Sequence, residues 1–199
     1  MKTLVVFDFD DTLFRSGAMI GVQKPGSPKR YLSSHEYATY TSEEGEEFDY
    51  EQFDVYPPTP EPIEKSAGEL ESSVASQGLK NVIILTARSS TEPVRQVLQD
   101  FGMPPVKIFA IGSSNPEAKA DIVEELVNTK LYDRVIVYED SSENIAAIRA
   151  RVSPMLAGNF LAFKVKATPR GDVLQKESKW LPASVRLRLH LGPNRPFPT

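Results

Sequence analysis

The sequence predicts an α/β fold with a central parallel sheet of five strands covered by helices on both faces. Three observations carry that expectation. Short apolar runs alternate with amphipathic helical patterns over most of the chain. The runs are apolar throughout rather than alternating, as in strands buried on both faces. Several of them end abruptly in acids, a hydroxyl or a cation, at the sheet edge where ligands bind in open α/β folds.

The first run is Leu4-Val5-Val6-Phe7, and three carboxylates follow within four residues, Asp8, Asp10 and Asp11. Side chains two apart on a strand share a face, so Asp8 and Asp10 converge while Phe9 turns into packing. Two carboxylates about 4 Å apart at an effective dielectric near 20 repel by roughly 4 kcal/mol, so the pair needs a cation, a proton or both. The plainer alternative is an acidic turn in which Asp11 or Thr12 starts a helix.

From Ser16 to about Pro62 the pattern is irregular. Gly17, Gly21, Pro25, Gly26 and Pro28 punctuate a loop that Lys24, Lys29 and Arg30 make basic. A short capped helix is expected within Ser33 to Tyr40, followed by an acidic, aromatic stretch from Glu43 to Tyr56. Phe48, Tyr50, Phe53 and Tyr56 are too many rings for a disordered linker. They are expected to form a small core of the insert, with rings that face a substrate as the sharper alternative. Pro57-Pro58-Thr59-Pro60 closes the insert as a stiff connector.

Regular structure resumes with a helix marked by Ile63, Ala67, Leu70 and Val74 and stopped at Gly78. Asn81 to Leu85 reads as a strand ending in Thr86-Ala87-Arg88, and Ser90 or Thr91 is the expected cap of the next helix. Val106 to Ile111 is a third strand, and Asn115-Pro116 opens a helix through Ile122, Val123, Leu126 and Val127. Arg134 to Tyr138 is a fourth strand ending in Glu139-Asp140, then a helix carries Ile145, Ile148 and Val152 ahead of a fifth strand, Phe160 to Val165. In the tail, Val185, Leu187, Leu189 and Leu191 alternate with Arg186, Arg188 and His190, which reads as an edge strand with a cationic outer face. Trp180 is expected to pack that tail on the core. The division expected is a core of residues 1–14 and 62–166, a small cap insert over 15–61 and an extension over 167–199.

Composition excludes several classes of function. With 199 residues and a net charge of −4, the chain fits one sizeable core and has no general attraction for polyanions or anionic membrane. It has no cysteine, which removes disulfides, thiolate zinc sites and cysteine nucleophiles. The two histidines, His35 and His190, are too few for a histidine-rich centre, so any metal is expected to be a hard cation held by oxygen. The N-terminal apolar run breaks at Asp8, too early for a signal segment or a membrane span, so a cytoplasmic location is expected.

Asp8-Phe9-Asp10-Asp11-Thr12, Leu85-Thr86-Ala87-Arg88, Lys119 and Tyr138-Glu139-Asp140-Ser141 together resemble, in order, the four motifs of the haloacid dehalogenase superfamily of phosphotransferases. The resemblance implies a Rossmann-like three-layer core and an aspartyl-phosphate mechanism. Asp8 would be the nucleophile, since a carboxylate is ionised without an activating base. Asp10 would protonate the leaving oxygen and later take a proton from water. Thr86 and Lys119 would hold the phosphoryl oxygens, with Arg88, Thr12 and Asn144 as further substrate contacts. Magnesium (Mg2+) would be held by Asp8, Asp140, the Asp10 carbonyl and Glu139, the last directly or through water.

The acid at position 10 separates this chain from the halide-removing branch, which lacks an acid there, and from the ion-pumping branch, which carries Thr. A phosphomonoester hydrolase is therefore expected. The alternatives are a phosphomutase or other phosphotransferase acting on a sugar phosphate, and a non-catalytic binding module. The Thr-Ala-Arg and Glu-Asp pairings are similar to small phosphatase-like proteins of phages and to the phosphatase half of polynucleotide end-repair enzymes. They imply a phosphorylated small molecule, a nucleotide or a nucleic acid end as substrate. A short insert implies an open crevice, or closure by a second subunit in a homo-oligomer.

Overall fold

The computed structural model describes residues 1–37, 40–166 and 171–177. The first apolar run forms strand β1 (Thr3–Phe7), buried along its whole length. The insert then contributes β2 (Phe14–Arg15), β3 (Met19–Gln23), β4 (Arg30–Ser33), α1 (Ser34–Tyr37), β5 (Glu47–Asp49) and β6 (Glu61–Pro62). Helix and strand alternate from there as α2 (Glu64–Gln77), β7 (Val82–Thr86), α3 (Glu92–Asp100), β8 (Lys107–Ala110), α4 (Pro116–Lys130), β9 (Arg134–Glu139), α5 (Ser142–Val152) and β10 (Phe160–Lys166). A last strand is β11 (Val173–Lys176).

The central sheet has the order β11-β10-β9-β1-β7-β8. Neighbours from β10 to β8 are parallel and β11 lies antiparallel on β10, so the sheet has six strands where five were expected. Val173-Leu174-Gln175-Lys176 is too short to show a period, and its pairing with β10 rather than its own pattern makes it a strand. The alternating stretch from Val185 to Leu191, and Trp180, lie outside the described residues.

Alternate residues of each central strand feed two cores, one on each face. Leu4, Val6, Leu85, Val135 and Val137 pack with Ala120 and Val123 of α4 and Ile145, Ile148 and Val152 of α5. Val5, Phe7, Val82 and Ile84 pack with Leu70 of α2 and Val94, Val97 and Leu98 of α3. Each such aliphatic side chain removed from water contributes roughly 1.5–3 kcal/mol, which is what holds the three layers. Asn115 caps α4 by accepting from the Glu117 N–H at 3.1 Å, with Pro116 in the first turn. Of the two expected caps of α3, Thr91 makes no side-chain cap and has a helical backbone, while the Ser90 hydroxyl accepts weakly from the Glu92 N–H at 3.4 Å and Pro93 presets the first turn.

The insert is a small antiparallel sheet, β4-β3-β5, rather than an irregular loop. It leaves the core through a two-stranded neck in which Phe14 pairs with Pro62 and Arg15 with Glu61. Its strands are three to five residues long, one of them carrying Gly21, too short for periodicity to declare them. Ser33 and Glu36 cap α1 reciprocally, the Ser33 hydroxyl accepting from the Glu36 N–H at 3.2 Å and Glu36 accepting from the Ser33 N–H at 2.8 Å. The basic residues of the insert are each matched by an acid, Lys24 by Glu43, Lys29 by Asp49 and Arg30 by Glu46. Among the described residues, no helix is long and apolar enough to cross a membrane.

Candidate active-site crevice

The strand order reverses at β1, with β7 and β8 on one side and β9 and β10 on the other. The C-terminal ends of β1 and β9 therefore flank the point where open α/β sheets form their ligand crevice. A crevice of about 590 Å³ lies there, lined from the core by Asp8, Asp10, Asp11, Thr86, Arg88, Lys119, Glu139, Asp140 and Asn144.

Asp8 follows β1 directly and is fixed by its backbone N–H, which donates to the Tyr138 carbonyl at 3.0 Å. Lys119 reaches it from the first turns of α4, buried, and its Nζ donates to Asp8 Oδ1 at 2.7 Å and to Glu139 Oε2 at 2.8 Å. Burial, then the neighbouring Glu139 charge, pushes the Asp8 carboxyl up to about 7 against the pull of Lys119. Burial alone would lower the Lys119 ammonium, but Asp8 and Glu139 outweigh it and hold it above the ordinary lysine range. Burial, Glu139 and Asp8 together raise Asp140 well above the usual carboxylate value. One lysine is thus set against three crowded acids.

Asp8, Glu139 and Asp140 each offer a carboxylate oxygen within 4.8 Å of the others. An all-oxygen, acid-rich donor set of this kind fits a hard divalent cation, which would supply the positive charge the cluster lacks. Within it Glu139 is the most committed. Besides Lys119, its Oε1 accepts from the Ser141 N–H at 3.2 Å and from Asn144 Nδ2 at 3.1 Å. Asn144, an expected substrate contact, borders the crevice and gives one amide N–H to Glu139, with its other N–H and its oxygen left over. The Asp10 carboxylate lies outside this group of three.

Arg88 departs most from expectation. It is neither a surface ion pair nor a free phosphate ligand: its side chain is fully buried, and it grips Asp10 with two parallel bonds, Nε to Oδ2 at 2.8 Å and Nη2 to Oδ1 at 2.7 Å. Its Nη1 donates to the Phe53 carbonyl at 2.7 Å and to that of Val55 at 3.3 Å, and the guanidinium lies over the Phe9 ring at 5.3 Å and over the Phe53 ring at 5.4 Å. A single side chain therefore joins the acid of the first loop to the insert. Sequence spacing could not show this, because it depends on where the insert folds back.

Thr86 ends β7, is buried, and lines the crevice. Its hydroxyl oxygen accepts weakly from the Arg88 N–H at 3.3 Å, so its own hydrogen stays available to an anion. Asp11 takes a left-handed backbone with φ of 57° where the chain turns from β1, its N–H donating to the Phe14 carbonyl at 2.8 Å. Thr12 is not a substrate contact. It is wholly buried beneath the loop, its Oγ1 has no hydrogen-bond partner, and its carbonyl accepts from the Ser66 hydroxyl at 2.5 Å.

The insert roofs the crevice with Ile20, Ser34, Tyr37, Tyr50, Phe53 and Asp54. Asp54 accepts from the Ser89 hydroxyl, a second tie between roof and core. Tyr37 stands edge-on to Phe48 and to Tyr50, so the rings form a core of the insert and also face the crevice. Gly112, Ser113 and Ser114, after β8, complete the wall. Sequence reasoning passed over them because they bring no charge, although the end of a third strand was itself a signal. Comparison with family models, with curated proteins and with solved structures finds no match to this chain.

Proposed function

We propose that the chain is a magnesium-dependent phosphomonoester hydrolase of the haloacid dehalogenase type, working through an aspartyl-phosphate. The observation that carries the reading is Lys119 bridging Asp8 and Glu139 beside Asp140, all at the switch point of the sheet. Thr86 and Arg88, the remaining residues of the motif set, border the same crevice.

Asp8 and Asp140 would hold the ion, with Glu139 fixed behind them by Lys119, Ser141 and Asn144. Magnesium would neutralise part of the acid cluster and let a phosphate dianion approach a carboxylate. Asp8 attacks phosphorus, and the bond from phosphorus to the leaving oxygen breaks as Asp10 gives that oxygen a proton. Water then attacks the Asp8-bound phosphorus, Asp10 takes its proton, and Asp8 leaves as a carboxylate with inorganic phosphate as product. Arg88 uses one lone pair of each Asp10 oxygen, and a second remains on each for that proton. Lys119 and the Thr86 hydroxyl, which line the crevice, would hold the equatorial oxygens where charge gathers.

The test is phosphate release from p-nitrophenyl phosphate with and without magnesium. Magnesium-dependent release that Asp8→Asn abolishes is expected. Release indifferent to both would end the reading. Release of phosphate to water rather than to an added sugar acceptor separates the hydrolase from a phosphotransferase.

A further inference from the structure

We propose that the crevice selects phosphomonoesters whose leaving group is a flat aromatic unit bearing no second anionic group, a nucleoside monophosphate being the type. The inference rests on the phosphatase reading and adds the identity of the leaving group. Two features of the roof and walls lead to it.

The first is the set of aromatic residues, Tyr37, Tyr50 and Phe53, that line the same crevice as Asp8. Tyr37 and Tyr50 meet edge to face with centroids 6.0 Å apart and planes at 86°, and their hydroxyls are 2.6 Å apart. Phe48 backs Tyr37 at 5.4 Å, and Phe53 is pinned both through its carbonyl and against the Arg88 guanidinium. These rings are ordered by protein contacts, so stacking a planar group on them costs little further side-chain freedom. The nearby hydroxyls of Ser34, Ser113 and Ser114 suit an uncharged, hydroxyl-bearing connector such as ribose.

The second feature is charge. The crevice is lined by six carboxylates and two cations, and both cations are committed, Lys119 to Asp8 and Glu139, Arg88 to Asp10 and the insert carbonyls. Among the described residues no further Lys or Arg lines it. The basic residues of the insert are spent in their own ion pairs. Binding a polynucleotide backbone needs cations at successive phosphates, and a leaving group with a second phosphate would meet acids instead. A volume of about 590 Å³ suits a small ligand, within the roughly 300–1,000 Å³ of such sites.

The experiment compares kcat/KM, with magnesium, for adenosine 5'-monophosphate, ribose 5-phosphate and a 3'- or 5'-phosphorylated oligonucleotide. The base should favour the mononucleotide over ribose 5-phosphate by roughly tenfold or more, mainly through KM. Tyr50→Ala should bring that ratio toward one, whereas Tyr50→Phe should preserve it. A ratio near one in the unaltered protein, a ratio unmoved by Tyr50→Ala, or preference for the oligonucleotide overturns the inference. If no phosphate is released from any substrate, including p-nitrophenyl phosphate, the phosphatase reading fails. Calorimetric titration of the magnesium-loaded protein then decides the leaving group by itself. Tighter binding of the mononucleotide than of ribose 5-phosphate sustains it, and equal or undetectable binding of both overturns it.

Discussion

Removing the Lys119 ammonium leaves Asp8 and Glu139 buried side by side with no cation between them. Lys119→Met should therefore cost roughly 3–5 kcal/mol in a urea titration at neutral pH and abolish phosphate release. Part of the stability should return in acid, where Asp8 takes up a proton. The same carboxyl fixes a pH dependence in the metal-free protein. Its folded value of about 7 exceeds the ordinary 3.8, so between those pH values the folded state binds the proton that the unfolded state has lost. Stability from this group is present below that window and is lost as pH rises through about 7. If magnesium binds Asp8 and Asp140 it must displace the protons that burial favours there, so its affinity should climb with pH, with proton release on binding measurable by calorimetry in two buffers. Arg88→Lys keeps the charge but forfeits the fork to Asp10 and the reach to Phe53 and Val55. Turnover should fall by on the order of a hundredfold while magnesium titration of the acid cluster persists.

Between β2 and β3 the chain turns at Gly17, whose φ of 66° lies in the left-handed region and whose missing Cβ leaves room for the Thr59 side chain. Gly17→Ala should loosen the insert without unfolding the core, so limited proteolysis should cut first within residues 15–61 and far-UV helical signal should persist. The elements that sequence made legible are those long enough to show a period. Leu4 to Phe7, Arg134 to Tyr138 and the helices behind Asn115 and Ser141 all fall close to their expected places, because a buried run and a cap are local signals. The convergence of Asp8, Lys119, Glu139 and Asp140 was legible for the same reason, since strand ends carry them to one edge. The roof was not. Its strands are too short to declare themselves, and the partners of Arg88 are backbone carbonyls, which no residue type advertises. Thr12 shows the converse limit, a polar residue in the right stretch whose side chain is buried away from the crevice with no hydrogen-bond partner.

A ligand that binds the folded chain alone stabilises all of it, whatever part it touches. If Asp8 and Asp140 hold an ion, magnesium at a hundred times its dissociation constant should add about 2.7 kcal/mol and raise the melting temperature in proportion to the logarithm of its concentration. Asp140→Asn should flatten that dependence, and sodium at equal ionic strength should not reproduce it. The neck of the insert carries a different consequence. Because Arg15 and Glu61 lie paired, the two cut ends of residues 16–60 would emerge as neighbours, and a different lobe could be grafted there without disturbing β1 or β7. Under the proposed function the reacting groups would belong to the core and recognition to the roof, so one chemistry could be re-addressed by exchanging lobes. The graft has one requirement that shape alone would not reveal: it must present two backbone carbonyls to Arg88 Nη1 where Phe53 and Val55 do now.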